Sequence, residues 1–255
     1  DDGLTYTFHL RTDAKWSNGT PVTAADFVFG WQRAVDPDVA SEYAYMLSDI
    51  GQIKNAAEII AGEKDKSELG VTAVDDNTLQ VELNVPVSYF TSLMYFPTFY
   101  PVNEEFFTSC GDTFATSPET VLSNGAFVLD SYQPAATAFH LTKNADYYDT
   151  DRVKLSGLSY QVIQDSQQAL MSYQTGALDT TLVNGEQVDD PEFTTVGAGY
   201  LWYVSPNMNS VPELANLNIR LAMTMAIDRD SITADVLKDG SASTYTAVPM
   251  QFAAG

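Results

Sequence analysis

The chain has 255 residues, 45% of them apolar, which is enough for one large domain or two of moderate size with a sizeable core and too much for a disordered chain. Twelve Lys and Arg stand against 34 Asp and Glu, a formal charge of -22, so a polyanionic partner such as nucleic acid or an anionic membrane surface is repelled at every approach. The single cysteine, Cys110, excludes an internal disulfide and reads as a buried structural thiol, and no apolar run reaches the roughly 18 residues that a membrane-spanning helix requires.

The first element is a half-buried strand, because Leu4, Tyr6, Phe8 and Leu10 alternate with Thr5, Thr7, His9 and Arg11. Ser17, Asn18 and Gly19 make a turn, and Thr23 with Asp26 reads as a helix N-cap with an acidic partner three positions on. Phe27, Val28, Trp31, Ala34 and Val35 then form one apolar stripe of a helix that Asp36-Pro37 ends. Short helices are expected over 41–48 and 53–61, the second closed by Gly62 in a left-handed conformation.

From 71 to 83 the period changes to two around Asp75, Asp76 and Asn77, with Leu79, Val81 and Leu83 on one face, which predicts a hairpin. A short helix is expected over 87–95 and another over 115–122. Strands are expected over 125–130, 137–142 and 157–163, followed by a helix over 165–175 capped by Gly176. The last third predicts a strand over 200–209 and a helix in which Ile219, Ala222, Met223, Ala226 and Ile227 share a face. Asp230 is expected to cap a further helical turn that Gly240 closes. Interleaved strands and helices indicate an α/β or α+β architecture.

No side-chain set for catalysis is visible. The Gly-x-Ser-x-Gly elbow and the Walker-type phosphate loop are both absent, and Gly197-Ala198-Gly199 lacks the third glycine of a dinucleotide fingerprint. His9 and His140 read as solvent-facing strand residues with no metal partners. Asp149 to Asp151 and Asp228 to Asp230 lack the glycine and closing glutamate of a calcium loop and read as caps and turns. Asn18-Gly19-Thr20 matches a glycosylation acceptor but is explained as a turn. The aromatics, 14 Tyr, 13 Phe and 3 Trp, bunch at 43–45, 95–100, 147–148 and 200–203; most belong to the core, and a minority would suit a binder of variable ligands.

The specific signal is a series of phrases. Tyr6-Thr-Phe-His-Leu-Arg11 and Ala14-Lys-Trp-Ser-Asn-Gly-Thr-Pro-Val-Thr-Ala-Ala-Asp-Phe27 resemble the signature of the family 5 extracellular solute-binding proteins, with Asn18 where that family usually has Asp. The resemblance continues in order through Leu69-Gly-Val, Asp75-Asp-Asn-Thr-Leu, Asn124-Gly-Ala-Phe-Val-Leu129, Tyr147-Tyr-Asp149, Tyr173-Gln-Thr-Gly-Ala-Leu-Asp179 and Arg220-Leu-Ala-Met-Thr-Met-Ala-Ile-Asp-Arg229. Within the family it looks most like the oligopeptide binders.

The resemblance implies an α/β fold of the two-lobed, type II periplasmic-binding-protein class, with this chain supplying mainly lobe one and the start of lobe two. By position, 1–102 corresponds to the smaller domain of lobe one, 103–200 to part of its main sheet domain, and 201–255 to the crossover into lobe two. It implies a non-enzymatic receptor without cofactor or metal that captures an oligopeptide between lobes and presents it to ABC permease subunits. The location implied is extracytoplasmic, with contact to the membrane only through a lipid anchor or the permease. Tyr43 is the position matching a peptide-contacting tyrosine; Trp202, Tyr203, Val204, Ser205 and Asn207 are expected to line the cleft, with Asn184 beside them. The competing readings are a receptor of the same fold for a nickel chelate, a glycan or a signalling peptide, and a hydrolase.

Overall fold

The computed structural model describes residues 2–183, 194, 196–246 and 248, and the chain forms two compact units, Asp1–Val162 and Ile163–Gly255. The expected strand at the start is β1 (Thr5–His9), and the expected hairpin is β2 (Val71–Asp75) and β3 (Thr78–Glu82). They join as an antiparallel sheet of order β1-β3-β2, with Tyr6 and Val71 both opposite Val81. Leu79, Val81 and Leu83 are buried on the inner face, as their alternation requires.

Helix α1 (Ala24–Val35) covers that face with Trp31, Ala34 and Val35. Its start follows the expected capping logic: the Asp26 carboxylate accepts the Thr23 backbone N–H at 2.8 Å. Trp31 is fully enclosed, donates its indole N–H to the Phe99 carbonyl at 2.9 Å and meets the Phe99 ring edge-on at 5.3 Å. The core continues through Leu47, Ile53, Ala56, Ile59 and Phe90, which brings in α2 (Ala56–Ile60), closed by Gly62 at φ 75°.

Three expected α-helices take tighter or wider forms. Residues 41–48 give a turn and then a π-helix, Met46–Ile50; residues 87–95 give a 3-10 helix, Phe90–Tyr95; and residues 115–122 keep only a 3-10 turn, Pro118–Thr120. Pro97, which lacks an N–H and has a fixed φ, limits the second of these on its C-terminal side, whereas Pro118 opens the last turn, a position where proline is tolerated. Helix α3 (Glu104–Cys110) is capped by the Asn103 side chain and leaves Cys110 half-buried rather than buried.

The second sheet of this unit has order β4-β5-β6, formed by β4 (Phe127–Ser131), β5 (Ala138–Lys143) and β6 (Gly157–Gln161). All pairs are antiparallel, with Leu129 opposite Leu141 and Leu141 opposite Leu158. Gly157 is required by close approach, since a Cβ there would lie 2.8 Å from the Leu141 carbonyl oxygen and 2.9 Å from His140 Nε2.

The second unit contains α4 (Ser166–Gln174), capped by Asp165 and followed by Gly176 at φ 77°, and α5 (Leu217–Ala226). Among its described residues Ala169 alone is buried. Asp228, not Asp230, caps the next helical turn by accepting the Ser231 N–H at 3.0 Å, and Lys238 rather than Gly240 takes the left-handed closing position at φ 51°. The strand expected over 200–209 does not form. A strand persists only with a ladder partner, and none pairs with this stretch among the described residues.

Candidate functional site

The candidate surface lies in the first unit and is built from two stretches, 41–51 and 89–100. In the first, Leu47 and Ser48 are buried and anchor the π-helix, while Tyr43 and Tyr45 stand on the turn leading into it. Ser41 Oγ accepts the Tyr43 N–H at 3.4 Å, and the Tyr43 carbonyl accepts the Met46 N–H at 3.0 Å, which fixes the backbone under the ring. In the second stretch Phe90 and Phe99 point into the core, so that Tyr89, Tyr95 and Tyr100 are turned outward between and beside them.

These rings meet. Tyr43 packs on Phe96 at 5.3 Å and on Tyr45 at 6.2 Å between centroids. The Tyr100 hydroxyl donates to the Tyr95 carbonyl at 3.0 Å, and the Tyr89 hydroxyl to the Ile50 carbonyl at 3.4 Å, the second bond tying the two stretches together. Gly30 on α1 lets the second stretch cross this closely, because a Cβ there would sit 2.9 Å from the Tyr100 carbonyl oxygen. The contact of Tyr43 with Tyr45 and Phe96 leaves Tyr43 50% and Tyr45 44% exposed, and the second stretch exposes Tyr95 at 85% and Tyr100 at 51%.

Tyr43 is thus half in solvent, a placement suited to contact with a ligand. The other expected contact residues are in the chain after Val162. Trp202, Tyr203, Val204 and Ser205 belong to the second unit, in an irregular, exposed segment. Asn207 acts locally, its Oδ1 accepting the N–H groups of Asn209 at 3.2 Å and Ser210 at 3.0 Å to form a turn. Asn184 lies outside the described residues. Sequence reasoning did not assign Tyr45, Tyr95, Phe96 or Tyr100 to the surface around Tyr43; the signal available was their bunching, which shows that rings are abundant there but not which ones turn outward.

Two charged pairs of the first unit are Lys66 with Asp36 and His140 with Asp130. The Lys66 ammonium bonds the Asp36 carboxylate at the end of α1 and holds that carboxyl below the usual aspartate range. On the second sheet His140 Nδ1 lies 2.8 Å from Asp130 Oδ1, both groups partly exposed. Among the described residues no group of three or more His, Cys, Asp and Glu could hold a metal ion, and no helix is long and apolar enough to cross a membrane.

The family model for bacterial extracellular solute-binding proteins, family 5, matches residues 1–255. The chain is 38% identical over 247 residues to the probable deoxycholate-binding periplasmic protein YgiS of Escherichia coli, covering 93% of this chain and 45% of that protein. It is 36% identical to the oligopeptide-binding protein OppA of Bacillus subtilis, covering 97% and 46%. Among solved structures, Listeria monocytogenes OppA bound to peptide aligns with a TM-score of 0.80 at 40% identity, covering 98% of this chain and 50% of that one. The pheromone receptor PrgZ aligns with a TM-score of 0.88 at 33% identity over 98% and 50%. The chain spans about half the length of the relatives it matches. Its fold is that of the type II periplasmic binding proteins, an α/β class.

Proposed function

Because the chain belongs to the bacterial extracellular solute-binding proteins of family 5, we propose that the protein is the extracytoplasmic substrate-binding component of an ABC importer that captures oligopeptides and delivers them to permease subunits. In this reading residues 1–102 form the smaller domain of lobe one, 103–200 part of its main sheet domain and 201–255 the crossover into lobe two. Tyr43 contacts the peptide, with Trp202, Tyr203, Val204, Ser205, Asn207 and Asn184 completing the lining. The protein does no chemistry on its ligand, needs no cofactor, and reaches the membrane through a lipid anchor or the permease.

The observation that carries the reading is the match over 98% of this chain to OppA bound to peptide, at 40% identity. The exposed rings around Tyr43 suit it physically. A receptor for many peptides reads the common backbone and offers rigid amphipathic contact area to variable side chains, and neither role requires a reactive group. A second reading, capture of an amphipathic non-peptide ligand, is favoured by the 38% identity to a protein named for deoxycholate binding.

The deciding experiment is mass spectrometry of ligand co-purified with the full-length gene product containing this chain, followed by calorimetry with unrelated tri- to pentapeptides. Peptides in the mass spectrum and broad binding are expected. Binding of deoxycholate or a metal chelate with no response to any peptide would overturn the oligopeptide reading.

A further inference from the structure

The aromatic surface around Tyr43 has a one-sided electrostatic setting. No Lys or Arg occurs in residues 34–53, which carry Asp36, Asp38, Glu42 and Asp49, and none occurs in residues 67–142, which supply Tyr89, Tyr95, Phe96 and Tyr100. Of the cations that border these stretches in sequence, Lys66 is engaged with Asp36, Lys54 with Glu82, and Arg33 lies over the Phe107 ring. Glu42 immediately precedes Tyr43, and Asp49 follows Tyr45 by four residues, about one helical turn. Both carboxylates are exposed, and among the described residues neither forms an ion pair.

Exposed rings and exposed, unpaired carboxylates therefore coincide in one stretch of chain, residues 42–49. Tyrosine and phenylalanine rings carry negative charge on their faces and attract cations, and the fixed charges flanking Tyr43 and Tyr45 have the same sign. A neutral apolar ligand would use the ring area alone and gain nothing from the carboxylates. An acidic ligand would meet repulsion from both. An ammonium or guanidinium on a flexible aliphatic stem uses everything present, laying its stem along the rings and its charge near Glu42 or Asp49.

We infer that the surface formed by Tyr43, Tyr45 and Phe96 with Glu42 and Asp49 selects a Lys or Arg side chain, so that the ligands of this protein are basic oligopeptides. The inference rests on the receptor reading and narrows its substrate class. A general pull from the net charge of -22 would speed the approach of any cation without requiring particular rings. A side-chain subsite requires them.

The experiment is calorimetry on the full-length gene product with alanine tetrapeptides carrying, at each position in turn, Lys, norleucine or Glu. Norleucine keeps the stem of Lys and removes the charge. At one position Lys is expected to bind about tenfold tighter than norleucine, a ratio within reach of a partly desolvated cation–π contact with a carboxylate nearby, and Glu weakest of the three. Tyr45→Leu and Glu42→Gln should each shrink that ratio, whereas Tyr45→Phe, which keeps the ring, should preserve it. Equal affinity for Lys and norleucine peptides, or a preference for Lys untouched by both Tyr45→Leu and Glu42→Gln, would overturn the inference and leave the receptor reading standing. Failure of every peptide to bind would overturn both.

Discussion

The indole N–H of Trp16 donates to the carboxylate of Asp26 at 3.2 Å, and both residues are buried. The same carboxylate accepts the Thr23 backbone N–H at 2.8 Å and the Asn103 side-chain amide at 3.2 Å, joining the first turn, the start of α1 and the approach to α3. Removing it strands several enclosed donors, each at a cost of about 1–3 kcal/mol. Asp26→Ala is expected to lower the unfolding free energy by about 3–5 kcal/mol, and Asp26→Asn, which keeps one acceptor, by less. Urea unfolding checks this; a loss under about 1 kcal/mol for the alanine variant would show that water replaces the carboxylate.

Gly30→Ala tests the close crossing beneath the aromatic surface. Alanine is the better helix former by about 1 kcal/mol, so an unconstrained site would gain stability. At this site the new methyl must push against the Tyr100 carbonyl, 2.9 Å away. A net loss of about 1–3 kcal/mol is expected, with weaker ligand binding as Tyr100 is displaced. Thermal melting that shows a gain would mean the 97–102 stretch yields freely.

Tyr43→Ala separates contact from packing. Its ring is half exposed and rests on Phe96 and Tyr45 rather than in the core. Peptide affinity of the full-length gene product should fall about tenfold or more, with little change in melting temperature. The reverse pattern, a large fall in melting temperature at unchanged affinity, would make Tyr43 a packing residue.

The Asp36–Lys66 pair predicts a sign for the pH dependence of stability. Asp36 is depressed chiefly by the hydrogen bond from Lys66, against the opposing effect of burial, so the unfolded chain binds the proton more readily. Its contribution is present above the ordinary aspartate value, near pH 3.9, and is lost as pH falls through the lower folded-state value. The Lys66 ammonium is raised, chiefly by the same bond, so its share is present below about pH 10.4 and lost as pH rises through the folded-state value. The lysine end of the pair is exposed, which limits the effect to about 0.2–1 kcal/mol. Lys66→Met should flatten the acid limb of the stability curve between about pH 5 and 2 relative to the parent; parallel acid limbs would show that the pair contributes nothing.

What was legible in the sequence was local. The turn at Asn18, whose Oδ1 accepts the Thr20 N–H at 3.1 Å, the Thr23 and Asp26 cap, and the buried stripe of Trp31, Ala34 and Val35 all depend on residues within a few positions of one another. Asn103, the distant partner of Asp26, and Phe99, the partner of Trp31, are brought in by the fold and leave no spacing to read. Apolar periodicity near 46–50 and 90–95 does indicate a helical backbone, but the same stripe accommodates α, π and 3-10 pitches over so few residues. The alternation of Tyr200, Trp202 and Val204 satisfies a strand pattern, yet pairing needs a neighbour, which alternation cannot supply. At the candidate site, sequence showed a concentration of rings, while the division into inward Phe90 and Phe99 and outward Tyr95 and Tyr100 depends on tertiary packing.

The burial of the three indoles divides them sharply: Trp16 and Trp31 are 3% and 0% exposed, while Trp202 is 92% exposed. Emission from the first two should be blue-shifted and shielded, and emission from the third red-shifted and open to collision with a neutral quencher such as acrylamide. Whatever covers the 202–207 segment, whether ligand or another part of the full-length gene product, would withdraw one fluorophore of the three from the quencher. The protein therefore carries an intrinsic optical reporter at its proposed crossover, readable without a label.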